Sequence, residues 1–277
     1  MPTMRSSELR ATAARLVEKL PADIVPEVVL TGSVSRGLAD EVSDVEMLVV
    51  THEQLDFETC FELVRATGLE RLGTWGPQGP PTSRVSGYLE GIPFELIWWS
   101  REQAESSINA ESPAADAIVN GVALRTCGLL AAWRERLSTY PDELAAERIE
   151  DAALTWGGFA AAGLLTIARP GERLALVERM VDDASRVLQI VYALNRTWLP
   201  TTKRVAVRAA PLAVKPERLA ELIEEALTES DPLQALIVMT QLQADTVALA
   251  PPGPNVDRAR VWLAEALEIL RAAQRRG

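Results

Sequence analysis

The sequence predicts an α+β protein: a small mixed sheet flanked by helices, followed by an all-helical domain. Three observations carry this. Short apolar runs with strand spacing recur up to Trp99. From about residue 101 onward only helical periodicity is found. Proline and glycine clusters punctuate the second half at intervals that suit long helices, notably Pro170-Gly171 and the run 250–254. The expected domains are 1–105 and 106–277.

Each element follows from local pattern. Residues 6–20 have amphipathic spacing, with Ser6 or Ser7 as the N-cap. Residues 26–30 (PEVVL) form a short buried strand, residues 33–38 fit a single helical turn, and residues 44–51 form a second strand. Residues 53–66 return to helical spacing, which Gly68 stops. The stretch 74–83, rich in glycine and proline and containing Trp75, is a surface loop. Residues 84–89 and 92–99 are strands joined by Glu90-Gly91, a hairpin signal. In the second of these, Pro93, Glu95, Ile97 and Trp99 share one face, and Phe94, Leu96 and Trp98 share the other. Long helices are expected over 142–167, 172–195, 216–228 and 255–275.

Composition narrows the function. The chain of 277 residues carries a formal charge of −11. A phosphate-rich polymer is repelled by such a surface, so nucleic acid is disfavoured as a partner and a cationic or neutral small molecule, or a protein, fits better. Two cysteines, Cys60 and Cys127, and one histidine, His52, leave no zinc pattern and no two-histidine mechanism. No apolar run is long enough to span a bilayer, and the charged N-terminal stretch is unlike a signal peptide; the expectation is a cytoplasmic protein.

The chemistry concentrates in LTGSVSRGLADEVSDVEMLVV, residues 30–50. Asp44 and Glu46 are two apart on a strand, so both carboxylates point the same way. Two like charges on one face repel, and a divalent cation offsets that repulsion. Gly32 permits a sharp turn and close approach to a ligand. Ser33 opens a helical turn whose N–H groups suit a phosphate.

This stretch resembles the signature of the nucleotidyltransferase superfamily that includes DNA polymerase beta. That signature is Gly-Ser, a spacer, then Asp, an apolar residue, and Asp or Glu; here it is Gly32-Ser33 and Asp44-Val45-Glu46. Arg36-Gly37 and Ser43 extend the resemblance toward small bacterial members, and the helical half looks like that of aminoglycoside and lincosamide nucleotidyltransferases. Thr31 departs from the apolar residue usual before the glycine.

The resemblance implies one or two Mg²⁺ held by Asp44 and Glu46, with a third carboxylate on a neighbouring strand. Glu95, in the apolar run IPFELIWW, is the candidate, either as a metal ligand or as the base that deprotonates an acceptor hydroxyl. ATP or another NTP is the implied co-substrate, with Gly32, Ser33, Arg36 and Lys203 as its contacts. For Arg36 the alternative is a solvated loop arginine. For Lys203, in LNRTWLPTTKRV, it is a helix C-terminus decorated with cations. Glu178, Asp182 and Asp183 either bind a cationic acceptor or are solvated helix carboxylates. The implied reaction moves AMP to a hydroxyl of a small acceptor, aminoglycoside-like compounds being one class. The alternatives are a nucleotide- or partner-binding scaffold without turnover, and an enzyme that transfers AMP to proteins.

Overall fold

The computed structural model describes residues 2–74, 82–109 and 114–276. The chain divides into two compact units, Met1–Thr139 and Tyr140–Gly277. Trp75 and most of the predicted loop 74–83 lie outside the described residues.

The first unit contains α1 (Met4–Glu18), β1 (Glu27–Leu30), α2 (Gly32–Ser35), β2 (Val45–Thr51), α3 (Phe57–Ala66) and β3 (Glu70–Thr74). It continues with β4 (Thr82–Leu89), β5 (Ile92–Ser100), α4 (Arg101–Ser107), α5 (Ala115–Val119), β6 (Val122–Arg125) and α6 (Leu129–Arg136). The strands form one mixed sheet in the order β3-β4-β5-β2-β1-β6. Only β2 and β5 run parallel among its paired strands. A parallel pair needs a crossover, and α3, β3 and β4 supply it.

Alternation sorts the sheet into two faces. Val45, Met47, Val49, Phe94, Leu96 and Trp98 are buried on one face, in a cluster with Leu9, Ala13 and Leu16 of α1 and Cys60 and Val64 of α3. Burial there pushes the Cys60 thiol up to about 11, which keeps it protonated and inert. The opposite face carries Glu46, Leu48, Glu95, Ile97 and Trp99, and α4 packs against both β2 and β5. The hairpin forms as expected: Leu89 pairs with Ile92, and Glu90 and Gly91 both take positive φ, 54° and 79°.

The structure moves several boundaries. The cap of α1 is Thr3, whose hydroxyl accepts from the Ser6 N–H at 3.1 Å; Ser6 is buried inside the first turn instead. Strands β3 and β6 were not legible as strands, and β6 contradicts a helix-only pattern after residue 101. It extends the first unit well past the expected division at 105/106. It pairs with β1, and the fully buried Glu27 carboxylate of β1 fastens the connection from β6 into α6. Glu27 Oε2 accepts from Thr126 Oγ1 at 3.0 Å and from the Cys127 and Leu129 N–H groups at 2.7 and 3.3 Å; Oε1 accepts from Leu130 N–H at 3.4 Å. An anion is thus set at the N-terminus of α6, where free N–H groups and the helix dipole favour it.

The second unit is helical: α7 (Asp142–Leu154), a 3₁₀ turn (Ala161–Gly163), α8 (Leu164–Ile167), α9 (Arg173–Leu194), α10 (Val205–Ala209), α11 (Leu219–Thr228), α12 (Pro232–Leu249) and α13 (Pro254–Gln274). The single helix expected over 142–167 is broken, because Gly157 takes φ +115°. Helix α12 carries no amphipathic period in its sequence, because it is apolar on most sides, packing against α9, α11 and α13. Its start was nonetheless encoded: Asp231 caps Leu233 N–H at 3.0 Å and Pro232 occupies the first turn.

No helix among the described residues is long and apolar enough to cross a membrane.

Candidate metal centre

The acidic site forms where β2 and β5 lie side by side. Parallel pairing sets Glu46 directly opposite Glu95, and Asp44 immediately precedes β2. All three side chains are half-buried, and each offers a carboxylate oxygen within 4.8 Å of the others'. Three acids this close repel one another unless a cation sits among them. Hard oxygen donors with room left for water or phosphate suit Mg²⁺.

The glycine turn closes one side of the cluster. Gly32 has φ +67°, and a Cβ built on it would stand 1.7 Å from Glu46 Oε2. Only a residue without a side chain lets this backbone lie against that carboxylate. The strand behind it is tied in: the Thr31 N–H donates to the Glu46 carbonyl at 2.9 Å. These observations show that the residues present fit a divalent cation.

A second layer of contacts holds the turn. Arg36 is not a solvated loop residue. Its guanidinium donates to the Gly32 carbonyl at 2.7 Å and forms an ion pair with Asp116. Those side chains are 11% and 14% exposed. Ser35 is buried, and its hydroxyl also donates to the Gly32 carbonyl, at 3.0 Å. Arg10, on α1, donates to the Val34 and Ser35 carbonyls at 3.1 and 2.6 Å, which satisfies acceptors at the end of α2. Farther along, Ser43 Oγ donates to Asp40 Oδ1 at 2.8 Å and accepts from the Asp40 N–H at 2.9 Å, closing the bend that delivers Asp44. Sequence reading missed Arg10 and Asp116, because nothing local marks a partner 24 or 80 residues away.

Ser33 lies within α2 and is partly exposed beside the acids' glycine turn. Lys203 belongs to the other compact unit, on an exposed turn before α10. Trp98 is core, whereas Trp99 is half-buried on the acids' face. His52 is exposed just past β2. Asp183 is neither solvated nor available to a ligand: it is buried, accepting from Trp156 Nε1 at 3.0 Å and Arg179 Nε at 2.6 Å. Asp182 pairs instead with Arg186 on the exposed side of α9.

No protein-family model matches the chain, and no curated protein matches it. Among solved structures it is similar to a nucleotidyltransferase-like protein from Exiguobacterium sibiricum 255-15, with 13% identity and a TM-score of 0.36, over 97% of this chain and 90% of that one. An overlap this low decides nothing about the present chain, whose site is read from its own geometry.

Proposed function

We propose that the chain is a Mg²⁺-dependent nucleotidyltransferase that moves a nucleoside monophosphate, AMP from ATP, to a hydroxyl of a small acceptor and releases pyrophosphate. The observation that carries this reading is the convergence of Asp44, Glu46 and Glu95 beside a glycine turn that lies against Glu46. Such a cluster suits a triphosphate bound with its cation better than it suits any uncharged substrate. The acidic chain favours a cationic acceptor, and aminoglycoside-like compounds are the first class to test.

In this reading Asp44 and Glu46 hold the cation, and Glu95 either completes its ligands or takes the proton from the acceptor hydroxyl. When bound, Mg²⁺ supplies charge neutralisation at the reacting phosphate and the leaving pyrophosphate. Gly32 and Ser33 present the turn that the triphosphate approaches. Arg36 keeps that turn in place through the Gly32 carbonyl. The acceptor oxygen attacks the α-phosphorus in line, its hydroxyl proton passing to Glu95 or, where Glu95 is a ligand, to solvent; the bond to the bridging oxygen breaks, and the electron pair leaves with pyrophosphate.

The test is calorimetric titration of ATP, GTP, CTP and UTP with Mg²⁺, followed by pyrophosphate release across a panel of aminoglycosides and lincosamides. Wild type should bind one nucleotide in a metal-dependent way, and the Asp44→Asn and Glu46→Gln variants should lose both binding and turnover while remaining folded. Turnover by Asp44→Asn would sink the reading. Metal-dependent binding without pyrophosphate release to any acceptor would mark a nucleotide-binding scaffold. Label passing from the α-phosphate of ATP to a protein band would mark a protein-modifying enzyme.

A further inference from the structure

The outer face of α9 carries an apolar seam that its own unit leaves open at Leu174, Val177 and Val181, and that continues into the buried Ala184 and Leu188. Leu174, Val177, Val181, Ala184 and Leu188 recur at alternating spacings of three and four, the a/d pattern of a helix that packs along another helix. Leu174 is 82% exposed, Val177 36% and Val181 51%. Toward its C-terminal end the seam enters a cavity of about 850 Å³ between α9, the segment around Val205, and α11, where Leu188, Ile223 and Leu227 supply apolar wall. A shallower recess continues along α9 beside Ala175, Glu178 and Asp182.

The shape favours an elongated occupant. The exposed part, from Leu174 to Val181, runs about 10 Å at the helical rise per residue and continues into the cavity wall at Ala184 and Leu188. A small molecule filling the cavity would leave Leu174 and Val177 in water. Charge selects further. Glu178 and Asp182 flank the seam on α9, and Glu221, Glu224 and Glu225 flank the cavity on α11; Asp182 is paired with Arg186, and Glu221 and Glu225 with Arg218, which leaves Glu178 and Glu224 without an ion pair among the described residues. The cations among the lining residues are Arg204 and Arg179, and Arg179 is engaged with Asp183. A second copy would bring its own acidic rim, on a chain of net charge −11, against this one.

We propose that this α9–α11 face docks a basic amphipathic α-helix of a partner protein, its apolar anchors at helical spacing on the seam and its Lys or Arg flanks against the acidic rim. The proposal is independent of the nucleotidyltransferase reading.

The test uses the full chain and a synthetic helical peptide of Leu and Lys, with Leu at a and d positions. Controls are a scrambled peptide of the same composition and a Leu/Glu peptide of the same pattern. Calorimetry should show one-to-one, salt-sensitive binding of the patterned Leu/Lys peptide, at least about tenfold tighter than either control. Leu174→Glu and Val181→Glu, at exposed positions that leave the fold intact by thermal melting, should each weaken binding by about tenfold or more. Glu224→Lys should weaken it and flatten the salt dependence. Equal binding of the scrambled peptide, or unchanged binding to Val181→Glu, would overturn the proposal as mere adhesion to an acidic surface. So would self-association in sedimentation that these substitutions abolish, which would give the seam to a second copy.

Discussion

Gly32→Ala is the most informative single change. It acts in two ways whose sizes can be read from the structure. The backbone there has φ +67°, and holding a residue with a Cβ in that region costs about 1–2 kcal/mol. The new methyl would also stand 1.7 Å from Glu46 Oε2, where ordinary contact begins at 3.4 Å. The carboxylate must therefore retreat by more than an ångström, and displacements of that order in a reacting site cost about a hundredfold. Gly91→Ala separates the two effects. Gly91 has φ +79° with nothing within 4 Å of its would-be Cβ, so it carries the backbone strain without the collision. Thermal melting and Mn²⁺ titration, followed by electron paramagnetic resonance, read the two effects apart. Both variants should melt a few degrees below wild type, in proportion to about 1–2 kcal/mol. Only Gly32→Ala should lose Mn²⁺ affinity, by about one to two orders of magnitude. Native Mn²⁺ affinity in Gly32→Ala would refute the idea that this glycine is there to admit the Glu46 carboxylate.

Three further outcomes are expected. Arg36→Met removes the cation from the largely buried Asp116 and should destabilise by about 2–3 kcal/mol in urea unfolding, with Arg36→Met/Asp116→Leu milder than the sum of its single changes. Additive effects would mean that the pair is not coupled. Glu27→Gln keeps the shape but loses the charge that four donors converge on, and should cost about 1.5–3 kcal/mol; exchange protection in α6 should fall first. Uniform loss of protection across the sheet would contradict a local capping role. Burial holds the Asp183 carboxyl above its ordinary 3.8, against the opposing pull of Arg179 and the Trp156 bond. The folded state therefore holds this proton more tightly than the unfolded chain does; the stability it contributes is complete below that ordinary value and falls as pH rises through the raised one. Asp183→Asn should flatten this part of the stability profile in urea unfolding, and an unaltered slope would show that Asp183 does not titrate in the folded protein.

Much of the first unit could be read from local pattern, for physical reasons. Strand alternation alone places Asp44 and Glu46 on one side, and places Glu95 opposite Phe94, Leu96 and Trp98, whatever the surrounding fold. The Glu90-Gly91 hairpin follows from what two residues of positive φ can do.

What local pattern could not supply was pairing. That Glu46 meets Glu95 in register is a property of parallel strands separated by a crossover, and register is decided by which apolar faces bury together. The roles of Arg10 and Asp116 depend on buried carbonyls and charges that exist only once distant segments meet. The same holds for β6, too short to declare itself, which joins the sheet because β1 has an open edge and Glu27 has donors to satisfy. The sequence by itself determined which residues carry charge and which way they point along each strand. Tertiary structure decided which of them meet, because a carboxylate cluster, unlike a helix or a turn, is held by contacts between residues far apart in the chain.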